Sequence, residues 1–242
     1  MKILVRKIKD IFLTPFILKD FFYFKNKMNS SDKRFKLLFK NIYPRVGDRT
    51  FATNFDRHYV YHTAWAMRKV LSLRPEKHVD ISSSLYFSAM LSAVVPVDFY
   101  DYRPANIELP GLKSLSADIL KLPFSDDSLE SLSCMHVVEH VGLGRYGDPI
   151  DPDSDLRAIN ELKRILVIGG SLLFVVPIGQ PKIMFNAHRI YSYNQIRKYF
   201  ADMELKEFSL IPENGGNMIC NATPEQSDKE TYGCGCFWFV KK

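Results

Sequence analysis

Three aspartates, Asp80, Asp101 and Asp118, each close a short apolar run, and a fourth run ends in His136-Val137-Val138-Glu139-His140. A carboxylate so placed can accept hydrogen bonds from both hydroxyls of a ribose, or from the exocyclic amine of an adenine. Three such acids in this order fit an adenosine-bearing amino acid, with Asp101 for the ribose and Asp118 for the adenine. Ser82-Ser83-Ser84 follows the first acid, and these small residues let the backbone approach a ligand and offer amide protons to a carboxylate at a helix N-terminus. With Ile119 and His136 at the adjoining run ends, the candidate cofactor-binding set is Asp80, Ser82, Ser83, Ser84, Asp101, Asp118, Ile119 and His136.

Histidine changes protonation near neutral pH. His140 and His188, just past the fourth and fifth runs, are therefore the candidate catalytic bases for an oxygen or nitrogen acceptor. Each of these residues also has an ordinary structural use. An aspartate after a strand can cap a helix, and His140 can bond a loop carbonyl. His188-Arg189 can anchor a loop through Asp148 or Asp151, while His58 and Tyr59 can either close over a cofactor or pack a helix.

Positioning these groups requires a parallel sheet, because in an open sheet of that kind ligands bind outside the carboxyl ends of the strands where the strand order reverses. The alternation of apolar runs with helical periodicity predicts one. A helix is predicted over 55–73 and stopped by Pro75. Strands are predicted over 78–81, 97–101, 114–117, 130–136 and 171–176, the last apolar enough to be central. Helices are predicted over 85–93 and 155–166, the latter closed by Ile168-Gly169-Gly170, and over 194–200. Outer strands are expected over 204–209 and 237–240, with residues 211–235 between them as a lid or flap.

With those elements in place, the stretch from Ser116 through Asp118-Ile119 and Pro123-Phe124-Ser125-Asp126-Asp127 to Glu130 resembles the third-strand and turn motif of class I S-adenosylmethionine methyltransferases. Val137-Val138-Glu139-His140, Glu161-Leu162-Lys163-Arg164-Ile165-Leu166 and Gly169-Gly170 resemble the motifs that follow it. More narrowly, Asp56-Arg57-His58-Tyr59, His78-Val79-Asp80-Ile81, Asp101-Tyr102-Arg103-Pro104, the run from Gly144 to Pro149, the run from Asn186 to Tyr191 and Tyr232-Gly233-Cys234-Gly235-Cys236 resemble the family called domain of unknown function 268, over about residues 50–240.

The resemblance implies an α/β fold: a three-layer Rossmann-like methyltransferase sheet, mostly parallel with one antiparallel strand near the edge, plus an N-terminal helical extension. It also implies S-adenosylmethionine as cofactor and a small molecule or glycan as methyl acceptor. The departure is the serine turn, since the resembled enzymes carry glycine after the first strand and serine enters positive φ less readily. A catalytically inactive binding or scaffold protein on the same fold, membrane-associated in glycan biosynthesis, is therefore the alternative reading.

Charge separates the chain in two. The net charge is +6, yet residues 1–40 hold eleven Lys and Arg against Asp10, Asp20 and Asp32, a balance of +8 that leaves the remainder at −2. Residues 1–45 thus read as a basic amphipathic extension and 46–242 as the methyltransferase-like domain, with 44–50 a turn-rich break. The body has no charge basis for binding nucleic acid. The arm's mixture of lysines with Phe21-Phe22-Tyr23-Phe24 suits an anionic membrane surface contacted by residues 1–28, or equally a helix covering a protein.

Pro15 and the Lys19-Asp20 pair interrupt the only stretch resembling a signal, so a cytoplasmic place is expected, peripheral at the inner face of the membrane if the arm binds there. The four cysteines fit a reducing compartment, and Cys220, Cys234 and Cys236 lack the paired spacing of a zinc site, so no metal is expected. Gly142-Leu143-Gly144-Arg145-Tyr146-Gly147 satisfies G-x-G-x-x-G but opens no helix, and it reads as a loop over the crevice.

Overall fold

The computed structural model of the protein describes residues 2–28, 35–45, 48 and 50–242, with the side chains of residues 2–14 outside that description. Two units are present, residues 1–55 and residues 56–242. In the first, helix α1 spans Lys2–Lys27 with Pro15 inside it. Its described aromatics Phe16, Phe22, Tyr23 and Phe24 are exposed. The expected amphipathic pattern of residues 2–14 and much of the turn expected at 44–50 lie outside the described residues. Among those described, no helix is long and apolar enough to cross a membrane.

The second unit opens with α2 (Arg57–Leu73), capped by Asp56, whose side chain accepts from Tyr59 N at 3.1 Å. Then follow β1 (His78–Ile81), α3 (Leu85–Leu91), β2 (Val97–Asp101), β3 (Leu112–Ser116), β4 (Leu129–Met135), α4 (Ser154–Ile165) and β5 (Leu166–Ile178). A hairpin of β6 (Lys182–Met184) and β7 (His188–Ile190), α5 (Tyr193–Tyr199), β8 (Met203–Ile211), α6 (Pro224–Ser227) and β9 (Gly233–Lys241) complete it. The main sheet has the order β3-β2-β1-β4-β5-β9-β8. All its pairings are parallel except the two made by β9, which runs antiparallel to both β5 and β8.

Alternation along β5 builds both halves of the core. Leu172, Phe174 and Val176 meet Ile159, Leu162 and Ile165 of α4 on one face. Leu173 and Val175 meet Trp65, Ala66 and Val70 of α2 with Phe87 and Leu91 of α3 on the other. Burying each such side chain contributes roughly 1.5–3 kcal/mol. The result is the expected three-layer α/β arrangement.

Gly169 does not close α4, which ends at Ile165; at φ +82 it lies inside β5, where the pairing with β4 shifts register between Leu129 and Ser131. The segment 211–235, expected as a lid or flap, holds the last residue of β8, a bridge from Leu210 to Ile219, α6 and the first residues of β9. A capping box of Thr223 and Gln226 with Pro224 at the first turn makes α6.

Candidate functional site

The strand order reverses between β1 and β4, and a cavity of about 290 Å³ opens at their carboxyl ends. Ser82, Asp101, Asp118, Ile119, His136 and His140 from the expected set all line it, together with Tyr102, Arg103, Tyr146 and Asp148. Asp101 Oδ1 accepts from Arg103 N at 2.7 Å and Asp118 Oδ1 from Leu120 N at 2.9 Å, so a local turn holds each carboxylate at its strand end and leaves Oδ2 for a ligand.

The bend after β1 adopts the conformation that glycine usually provides. Ser82 sits at φ +54, and both its amide and its hydroxyl donate to Tyr100 O, at 2.7 and 3.1 Å. Those two bonds offset the cost of a left-handed residue bearing a Cβ, of order 1–2 kcal/mol.

Asp80 does not reach the cavity, contrary to the sequence reading, because it lies fully buried beneath the bend. Ser83, Ser88 and Ser133 hydroxyls donate to its carboxylate at 2.5, 2.6 and 2.7 Å. The chain extends further down, since Ser133 then receives from His78 Nε2 at 2.9 Å and Ser131 donates to His78 Nδ1 at 2.7 Å. Burial pushes the Asp80 carboxyl up to about 6 against the pull of those hydroxyls. Ser83 also accepts from Met135 N at 3.0 Å, so it joins β1 to β4 rather than lining the cavity. Ser84 is the N-cap residue of α3 and does not line it either. Asp80 and Ser83 therefore shape the floor.

His140 Nδ1 donates to Ala187 O at 2.6 Å, which leaves Nε2 as the basic nitrogen. Burial holds its pKa below the ordinary value, opposed by Glu139, so the ring is neutral at pH 7. His188 does not line the cavity; it lies half-buried on β7 with its ring 6.4 Å from that of His140 and 5.0 Å from Tyr232. Arg189 anchors the hairpin through Asp155 and the carbonyls of Val141 and Pro152, not through Asp148 or Asp151 as the sequence suggested.

Sequence reasoning passed over Glu139 as a functional group, although the motif containing it had been singled out. It is buried 2.8 Å from His136 Nδ1, and burial raises its carboxyl to about 7 against the pull of His140. Around His136 stand His58 at 5.6 Å, Tyr59 at 5.5 Å and His62 at 5.0 Å, measured between ring centroids. Tyr232 stacks on His58 at 5.2 Å. No periodicity joins α2 to the start of β9, so only the fold brings these rings together.

The loop carrying the glycine pattern is folded around one carboxylate. Asp148 accepts from Gly142 N at 2.7 Å, Tyr146 N at 3.1 Å and Gly144 N at 3.4 Å. Gly142 is at φ +79, and a Cβ there would run into Asp151 O and Ser154, whereas one on Gly147 would meet nothing within 4 Å. Gly142→Ala is therefore expected to cost about 2–4 kcal/mol and Gly147→Ala only about 1–2. Urea melts of the two variants test the difference, and equal losses would contradict the close packing of Gly142 against Asp151 and Ser154.

Residues 123–222 match the family model described as Caenorhabditis protein of unknown function, DUF268. An uncharacterized protein of Methanocaldococcus jannaschii is 30% identical over 105 residues, 42% of this chain and 40% of that protein. The chain spans about two fifths of the length of the curated relative it matches. Among solved structures, the one described as a complex between the Haloferax volcanii Trm112 methyltransferase activator and the putative methyltransferase aligns at a TM-score of 0.51 and 20% identity, over 76% of this chain and 90% of that one. The N-methyltransferase NodS from Bradyrhizobium japonicum, bound to S-adenosylhomocysteine, aligns at 0.52 and 14% identity, over 78% and 89%. At these identities the likeness is one of fold: a Rossmann-like sheet of the class I S-adenosylmethionine-dependent methyltransferase type.

Proposed function

From a DUF268 segment set in a class I methyltransferase fold, we propose that the protein is an S-adenosylmethionine-dependent methyltransferase acting on an oxygen or nitrogen of a small molecule or glycan. The observation that carries this reading is the convergence of Ser82, Asp101, Asp118 and His140 on one cavity at the reversal of strand order. The residues fit the cofactor: two carboxylates stand at adjacent strand ends, each with one oxygen already engaged by the backbone and one available.

S-Adenosylmethionine, when bound, supplies an electrophilic methyl group on a sulfonium. Asp101 would accept from the ribose hydroxyls and Asp118 from the adenine amine, while the bend at Ser82 lets the backbone approach the methionine end. His140 Nε2 would take the proton of the acceptor as its oxygen or nitrogen is alkylated. Most of the acceleration in such a displacement comes from alignment, with the reacting atoms held ~3–3.5 Å apart. The loop collared by Asp148 and the Tyr146 ring, which His140 meets edge-on at 5.9 Å, form the wall against which an acceptor would be oriented.

The test is thermal. S-Adenosylhomocysteine at a hundred times its Kd adds about 2.7 kcal/mol. For a domain of this size that raises the melting temperature by roughly 5–10 °C. No shift at millimolar ligand would leave the non-catalytic scaffold reading in place of this one.

A further inference from the structure

The cluster beside the cavity carries an inference that goes beyond methyl transfer and does not depend on it. We propose that His58, His136 and Cys234 form a binding site for a zinc-class divalent metal ion, with one coordination position left open. The three side chains come from the first turn of α2, the end of β4 and the start of β9, and each offers a ligand atom within 4.8 Å of the others. His136 Nε2 lies 3.4 Å from Cys234 Sγ. In a tetrahedral site with metal–nitrogen distances of ~2.0–2.1 Å and metal–sulfur near ~2.3 Å, neighbouring nitrogen and sulfur ligands stand about 3.5 Å apart. The closest pair is thus already at coordination spacing.

The surroundings also match a metal site. Glu139 Oε1 is 2.8 Å from His136 Nδ1, so with a carboxylate there the Nδ1 proton is fixed and the Nε2 lone pair faces Cys234. That is the carboxylate–histidine arrangement that orients imidazole ligands and raises their basicity. Binding displaces the Cys234 thiol proton, because the thiolate is the form that ligates a metal.

A second observation points the same way. His62 Nδ1 donates to His58 O at 2.6 Å, so Nε2 keeps a lone pair, and that atom is buried with no hydrogen-bond partner among the described residues. Its ring is 5.0 Å from His136. A metal-bound water donating to this lone pair would complete the set. Thiolate with two imidazoles selects zinc-class ions over magnesium or calcium, and three protein ligands leave the fourth position for water or an acceptor atom. The sequence hid the site because Cys234 meets a histidine 98 residues away, which no spacing along the chain announces.

The experiment is a cobalt titration of the full-length protein after exhaustive chelation, followed by absorption spectroscopy. One Co²⁺ per chain is expected, with tetrahedral d–d bands and a thiolate-to-cobalt charge-transfer band. Cys234→Ser should abolish the charge-transfer band, while Cys236→Ser should retain it. Glu139→Gln should weaken binding by about 10- to 100-fold. Zn²⁺ should raise the melting temperature of the parent, and His58→Ala should lose most of that rise, which decides the matter even if Cys234→Ser fails to fold. A charge-transfer band that survives in Cys234→Ser, or a parent that binds no Co²⁺ and gains no thermal stability from Zn²⁺, would overturn the proposal. The S-adenosylhomocysteine melt run alongside reports separately on the methyl-donor cavity.

Discussion

Asp101→Ala is expected to weaken S-adenosylhomocysteine binding by about 100-fold while leaving the fold intact. A carboxylate accepting from two ribose hydroxyls makes two charge-assisted hydrogen bonds, each contributing roughly 1.5 kcal/mol or more, and a loss of about 2.8 kcal/mol is a hundredfold in Kd. At the ligand concentration that stabilises the parent by about 2.7 kcal/mol, the variant should gain only about 0.4. Its own stability should change little, since the half-buried side chain gives up only the bond from Arg103 N at 2.7 Å. Asp118→Ala, which removes one partner of a single amine, is expected to cost about tenfold. Titration calorimetry reads both, and affinities equal to the parent's would remove the basis for assigning the cavity to an adenosine.

The largest effect on stability is expected from Arg189→Met. The guanidinium is buried, donates to Val141 O at 2.6 Å and Pro152 O at 3.1 Å, and lies 3.6 Å from the buried Asp155 carboxylate. Methionine fills similar volume but leaves Asp155 with the Tyr191 hydroxyl, at 2.9 Å, as its remaining close partner. Stranding one member of a buried ion pair costs about 3–5 kcal/mol, which for a domain of this size lowers the melting temperature by roughly 6–20 °C. Asp155→Asn in the same background should recover part of the loss, because a neutral amide needs no counter-charge. A melting temperature within a degree or two of the parent's would show that the pair is not a fixed feature of the fold. Because Val141 and Pro152 bracket the loop over the cavity, ligand affinity should fall in the same variant.

Much of this was legible in the sequence, and the reason is periodicity. The five parallel strands announced themselves as apolar runs, and Asp101, Asp118, His136 and His140 at or just past their ends all line one cavity. Asp80 was misread because an acid at a strand end looks the same whether it faces a ligand or sits beneath a turn. What distinguishes it is three serines at 83, 88 and 133, two of which only the fold delivers. Strand ends drifted where a glycine hid a bulge, as at Gly169. The β6–β7 hairpin was missed because three-residue strands carry no usable alternation. The histidine and tyrosine cluster was illegible for a different reason, since its members come from α2, β4, β7 and the entry into β9, and spacing along the chain says nothing about such meetings.

The collar on Asp148 makes the glycine segment of the cavity wall indifferent to acidity from neutral into mildly acid conditions. Burial pulls this carboxyl up, but the backbone amides of Tyr146, Gly142, Asp148 and Gly144 together outweigh it and hold the group below its usual value. A depressed folded-state pKa means that the stabilisation is fully present above the ordinary carboxylate range and lapses only as the medium becomes more acidic than that. One ionised oxygen pair therefore latches the glycine segment shut through neutral and mildly acid conditions alike, whereas Asp80 beneath the floor and Glu139 beside His136, pushed up to about 6 and about 7, change charge within that range.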